Sequence, residues 1–170
     1  MLALAGCGSS SSKKISASSY VGSVCSATAG WYQTVQAAGK KLQLSVRTSK
    51  SLSKVKSAYV GFVDSLLHAT QRAEQQLRGA GTPSVNGGKQ ISNEVIRAFD
   101  RAQRGLKSAA AQVRKAPTSS SSGFEAAAGG TQSTVQRSLQ SMSALAPQKN
   151  PQLHSAALKD PSCQRLRALG

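Results

Sequence analysis

Apolar residues that recur at alternating steps of three and four constrain this chain more than any other feature. Only a helix brings such positions onto one side. In the first segment they are Val21, Val24, Thr28, Trp31, Val35, Ala38 and Leu42. A second runs through Leu52, Val55, Tyr59, Phe62, Leu66, Ala69, Ala73 and Leu77, and a third through Ile91, Val95, Phe99, Ala102, Leu106, Ala109 and Val113. The fourth is Phe124, Ala128, Thr131, Val135, Leu139, Met142 and Leu145. It is the weakest, because Gly129-Gly130 costs about 2 kcal/mol against two alanines.

The punctuation between these stripes is legible. Ser18 or Ser19 can cap the first helix, and Gly39 is a weak point in it or an early end. Gly79, Gly81 and Pro83 form a helix stop, so residues 79–88 read as the clearest loop. Pro117 ends the third helix by restricting Ala116. Ser122-Gly123-Phe124-Glu125 fits a capping box for the fourth. Pro147 and Pro151 end it, and the tail holding Leu153, Ala157, Cys163 and Leu166 is expected to form one or two short helical turns. No run alternates with strand periodicity, and no internal repeat is visible. The expected fold is all-α, an antiparallel four-helix bundle with a short helical C-terminal tail.

Hydrophobic residues make up 39% of the chain and aromatics only 4%, so the core must be Ala-rich with few large anchors. At 170 residues there is room for one such core. Trp31 lies on the first apolar stripe between Thr28 and Val35, which favours packing over ligand stacking.

The start of the chain carries an address. Leu4-Ala5-Gly6-Cys7 resembles the lipobox of bacterial lipoproteins, in which the cysteine thiol accepts a diacylglycerol. Ser9 to Ser12 then read as a flexible tether. Six residues precede Cys7 and none is basic. A signal needs a charged start and an apolar stretch of roughly 7–15 residues. Either the true start lies upstream of Met1, or the chain as written is the end of a precursor, or the tetrapeptide is an accident of an Ala-rich sequence. The division expected is 1–17 for signal remnant, lipobox and tether, and 18–170 for the helical domain.

The chain has three cysteines, Cys7, Cys25 and Cys163. Lipidation of Cys7 would remove the odd one. Cys25 and Cys163 are then expected to form a bridge that closes almost the whole domain, the alternative being two buried thiols. No Cys-x-x-Cys pair and no Cys/His cluster exists, which disfavours zinc.

From Tyr20 to Leu166 the sequence resembles a group of small, mostly uncharacterised actinobacterial secreted proteins and lipoproteins. The residues that carry the resemblance are Val24-Cys25 ahead of Trp31, Gly81-Thr82-Pro83 followed by Val85 and Gly88, and Pro161-Ser162-Cys163. The resemblance implies a helical bundle with a cysteine at each end, and no known reaction.

Catalytic constellations are sparse. Asp64 and His68 stand four apart on one helical face, either as half a metal site or base–orienter pair or as a plain exposed pair. Asn86-Gly87-Gly88-Lys89 lacks the first glycine and the Ser/Thr of a phosphate-binding loop, with Pro83 and Gln90 in those places. No Gly-x-Ser-x-Gly elbow is present. The expectation is that the chain is not an enzyme and carries no cofactor or metal.

Charge says more. Twenty-two Lys and Arg stand against six Asp and Glu, a net charge of +16, which favours anionic partners. Lys40, Lys41, Arg47, Lys50, Lys54 and Lys56 fall within 17 residues without one acid among them. Arg97, Arg101, Arg104 and Lys107 share a side of the third helix, partly offset by Glu94 and Asp100. The expected function is a cell-envelope lipoprotein on the outer face of the cytoplasmic membrane, or a secreted protein. It would act as a binding or structural module whose basic segment contacts anionic lipid or wall polymer. The alternative is non-specific nucleic-acid binding through phosphate contacts, which the lack of stacking aromatics and of a known DNA-binding motif disfavours.

Overall fold

The computed structural model describes residues 13–143 and 150–169, with the side chains of 139 and 141–143 outside that set. Among the described residues the protein is all-α. The helices are α1 (Ala17–Thr48), α2 (Leu52–Ala80), α3 (Gly88–Lys115), α4 (Ser121–Ser143), α5 (Pro151–Lys159) and α6 (Pro161–Leu169), with two two-residue strands, β1 (Lys14–Ile15) and β2 (Thr82–Pro83). Consecutive long helices pack on one another, α1 on α2, α2 on α3 and α3 on α4, while α5 and α6 fold back onto α1.

The core is built in layers from the expected stripes. Ala27 and Trp31 of α1 meet Ala69, Ala73 and Leu77 of α2 and Val95, Phe99 and Ala102 of α3. A second layer joins Val63 and Leu66 of α2 to Leu106, Ala109 and Ala110 of α3 and Val135 of α4. Alanines let the helices approach closely; the few large residues fill what remains. Trp31 is 5% exposed. Its indole Nε1 donates to Thr70 Oγ1 at 2.9 Å, and that hydroxyl donates to Leu66 O at 2.8 Å, so neither polar group is stranded.

Chain ends and helix ends show where side-chain chemistry overrides the apolar pattern. α1 starts earlier than expected, because Ser16 is the cap; Ser19 instead donates its N–H to Ser16 Oγ at 3.1 Å. It then runs through Gly39 without a break to Thr48. Likewise α4 begins at Ser121, with Ser120 Oγ accepting from Gly123 N–H at 3.1 Å, and Glu125 is exposed. Pro151 is a first helical residue rather than a terminator; Asn150 Oδ1 accepts from the N–H groups of Gln152 and Leu153. Leu145 and Pro147 lie outside the described residues.

The loop expected over 79–88 is tighter than a loop. Helix α2 continues to Ala80, and Thr82–Pro83 pair in parallel with Lys14–Ile15, residues on the tether side of the division expected at residue 17. Thr82 N–H donates to Lys13 O at 2.9 Å and Ser84 N–H to Ile15 O at 2.7 Å. Gly81 has φ 98°, and a Cβ there would strike Lys13 O, so this crossing needs glycine.

The tail is two helices of nine residues each, pinned to α1. Cys25 and Cys163 form a disulfide with Cα atoms 4.9 Å apart. Around it Tyr20, Val21 and Leu153 are buried together with both half-cystines. Asp160 Oδ1 caps α6, accepting from Ser162 N–H and Cys163 N–H at 2.8 and 3.2 Å. A bridge spanning 138 residues removes loop-closure entropy worth about 5 kcal/mol in the chain-entropy account.

Candidate functional site

All residues of α1 from Tyr20 to Trp31 that are buried lie in its first half; from Tyr32 to Thr48 none is. The reason is partnership. The first half touches α2, α3 and the tail; early in the second half Tyr32, Val35 and Ala38 are half-buried against the α2–α3 core and Gln36 Nε2 donates to Leu169 O of the tail at 3.4 Å, whereas from Leu42 onward the helix lies beside α2 and the edge of α4. Lys40, Lys41 and Arg47 are exposed in the second half, and Lys50 and Lys54 follow in the turn and at the start of α2. Lys40, Leu44 and Arg47 share one side of the helix. Leu44 is 64% exposed and Val46 38%, two of the three large apolar residues that stand exposed among the described ones.

The expected basic set is therefore divided by the structure. Lys56 turns inward and donates from Nζ to Ala116 O at 2.7 Å, satisfying the last turn of α3. The other five face solvent.

The acids are engaged elsewhere. Glu74 and Asp100 both accept from Arg78, at 2.6 and 3.2 Å, and raise its pKa, the Glu74 hydrogen bond most. Asp64 accepts from Arg114 at 2.6 Å, not from His68, which is exposed. Glu94 accepts from Gln90 at 3.2 Å, and Asp160 caps α6. Glu125, exposed at the start of α4, makes no ion pair among the described residues. None of the described carboxylates pairs with Lys40, Lys41, Arg47, Lys50 or Lys54. On α3, Arg97, Arg101, Arg104 and Lys107 are exposed as a second, sparser stripe.

No family model, curated protein or solved structure matches this chain.

Two concavities had no signal in the sequence. One is an open cleft of about 1250 Å³ where Lys14, the 82–87 turn, the start of α3 and the start of α5 meet. Asn86-Gly87-Gly88-Lys89 forms one wall of it, with Gly87 left-handed and no side-chain cap on α3. The other is a groove of about 450 Å³ between α1, α2 and α4. Both depend on segments distant in sequence that meet only in the fold. Among the described residues no group of three or more His, Cys, Asp or Glu could hold a metal ion, and no helix is long and apolar enough to cross a membrane.

Proposed function

We propose that this protein is an envelope module, a lipid-anchored or secreted antiparallel four-helix bundle, that docks on an anionic bilayer surface through the second half of α1. One observation carries the reading: five solvent-facing cations without partners among the described carboxylates lie in one run of sequence with an exposed leucine. Cations alone suit any polyanion. An apolar side chain on the same face as Lys40 and Arg47 favours a lipid interface, where charge meets headgroups and Leu44 meets acyl chains. A wall polymer or nucleic acid would leave Leu44 in water.

The position of the segment sets how a Cys7 anchor would act with it. Lys13 sits beside Thr82, at the start of α1. A helix rises about 1.5 Å per residue, so Arg47 is roughly 45 Å further along α1. For an anchor and the basic segment to share one bilayer, α1 must lie along the surface rather than stand on it.

The test is sedimentation of the full chain, carrying Cys7→Ser, with phosphatidylglycerol vesicles. Binding should fall steeply with salt, since exposed charges are screened beyond about 8 Å at physiological ionic strength. Changing Lys40, Lys41, Lys50 and Lys54 together to Gln should abolish it, and Leu44→Ser should weaken it at every salt concentration. Equal binding by parent and quadruple variant would refute the reading. Tighter retention on duplex DNA than on vesicles, insensitive to Leu44→Ser, would favour the nucleic-acid alternative.

A further inference from the structure

The groove beside the basic segment carries a second inference, which shares Arg47 with the docking surface and can hold or fail without it. Its floor and walls are Leu42 and Val46 of α1, Tyr59 and Phe62 of α2 and Val135 of α4, and Arg47 stands in its lining. At about 450 Å³ it is within the range of roughly 300–1,000 Å³ that small-molecule sites occupy. No carboxylate lines it.

We infer that this groove binds a single-chain anionic amphiphile, with the acyl chain along the apolar floor and the acidic headgroup on Arg47. Leu42, Val46, Tyr59, Phe62 and Val135 select the chain, and Gln43, Thr131, Gln132 and Gln136 complete the lining with uncharged polar groups. The guanidinium fork matches a carboxylate with two parallel hydrogen bonds, and no described acid competes for it. Lys50, three residues beyond, adds to the positive field and disfavours a cationic or zwitterionic ligand.

Gly39 is the second observation. It lies in the interior of α1, where glycine weakens a helix, and lines the groove. A Cβ built on it meets nothing within 4 Å, so close packing does not account for it. What its missing side chain leaves is room along the groove. The same seam is loosely filled on its other side, where a smaller gap of about 160 Å³ separates Lys41 and Leu42 from Ser57, Ala58 and Gly61. The two gaps flank Leu42 and Phe62, so these side chains can shift as a ligand enters.

The experiment titrates the full chain, carrying Cys7→Ser, with oleate, read by displacement of the fluorescent fatty acid cis-parinarate below its micellar range. One saturable site is expected. Gly39→Leu should fill the groove and weaken oleate at least about tenfold, while circular dichroism shows helix content kept, because the substitution raises helix propensity. Arg47→Gln should weaken oleate by about tenfold and leave oleyl alcohol unchanged. Non-saturable uptake, or unchanged oleate affinity in either variant, would overturn the inference. Arg47 serves both readings, but the vesicle test is separable, since its variant changes Lys40, Lys41, Lys50 and Lys54 and leaves every residue that lines the groove intact.

Discussion

From Ala17 to Trp31, α1 is held by α2, α3, the two tail helices and a disulfide; from Tyr32 to Thr48 it has no buried residue at all. Both halves are one unbroken helix with the same backbone hydrogen bonding. The contrast separates helix formation from helix fixation. Short-range bonds keep the second half helical, but most of a helix's stability in a protein comes from packing an apolar face. The half with less of that packing carries the cations without described carboxylate partners, the exposed Leu44 and the groove. Stability is concentrated at one end and unsatisfied surface at the other, a common division where binding elements are drawn from the less stable regions.

The largest effect that bears on this contrast is loss of the bridge. Replacing Cys25 and Cys163 by Ser should lower unfolding free energy by about 4–5 kcal/mol, measured by urea denaturation. Far-UV circular dichroism should still report helix below the new midpoint. A loss under about 1 kcal/mol would mean that the tail is held by packing around Leu153 alone, and that the first half owes little to its covalent tie.

A smaller effect compares two residues of the same helix. Trp31→Ala empties a buried site and leaves Thr70 Oγ1 with its bond to Leu66 O alone, and should cost about 3–5 kcal/mol. Leu44→Ala, on the exposed side, should stay within about 0.5 kcal/mol. Similar costs at both positions would show that the second half is packed as firmly as the first and would remove the contrast.

How much of this was legible in the sequence follows from which forces are local. The four stripes and the burial of Trp31, Phe99 and Val113 follow from the helical period, and the Cys25–Cys163 pair from the cysteine count once Cys7 is set aside. Helix ends were harder. Runs of serine offer several caps, and the ones used, Ser16 and Ser120, each precede those expected by two or more residues. Gly39 weakens a helix but does not end α1, whose backbone bonding runs on to Thr48. The β1–β2 pairing lacked any period, because two residues cannot show one. The basic segment was visible as a cluster, yet its division was not: Lys56 is engaged because the end of α3 happens to lie beside it, a fact of topology. The groove was invisible for the same reason, being assembled from three helices.

Amide hydrogen exchange along α1, followed peptide by peptide with and without phosphatidylglycerol vesicles, tests the central claim most directly. In buffer, amides from Tyr20 to Trp31 should exchange only on global unfolding, and those from Tyr32 to Thr48 faster, by local opening. Adding vesicles should slow exchange from Lys40 to Lys54 and leave Tyr20 to Trp31 unchanged. Uniform protection along the helix in buffer, or no change from Lys40 to Lys54 on vesicles, would contradict the account.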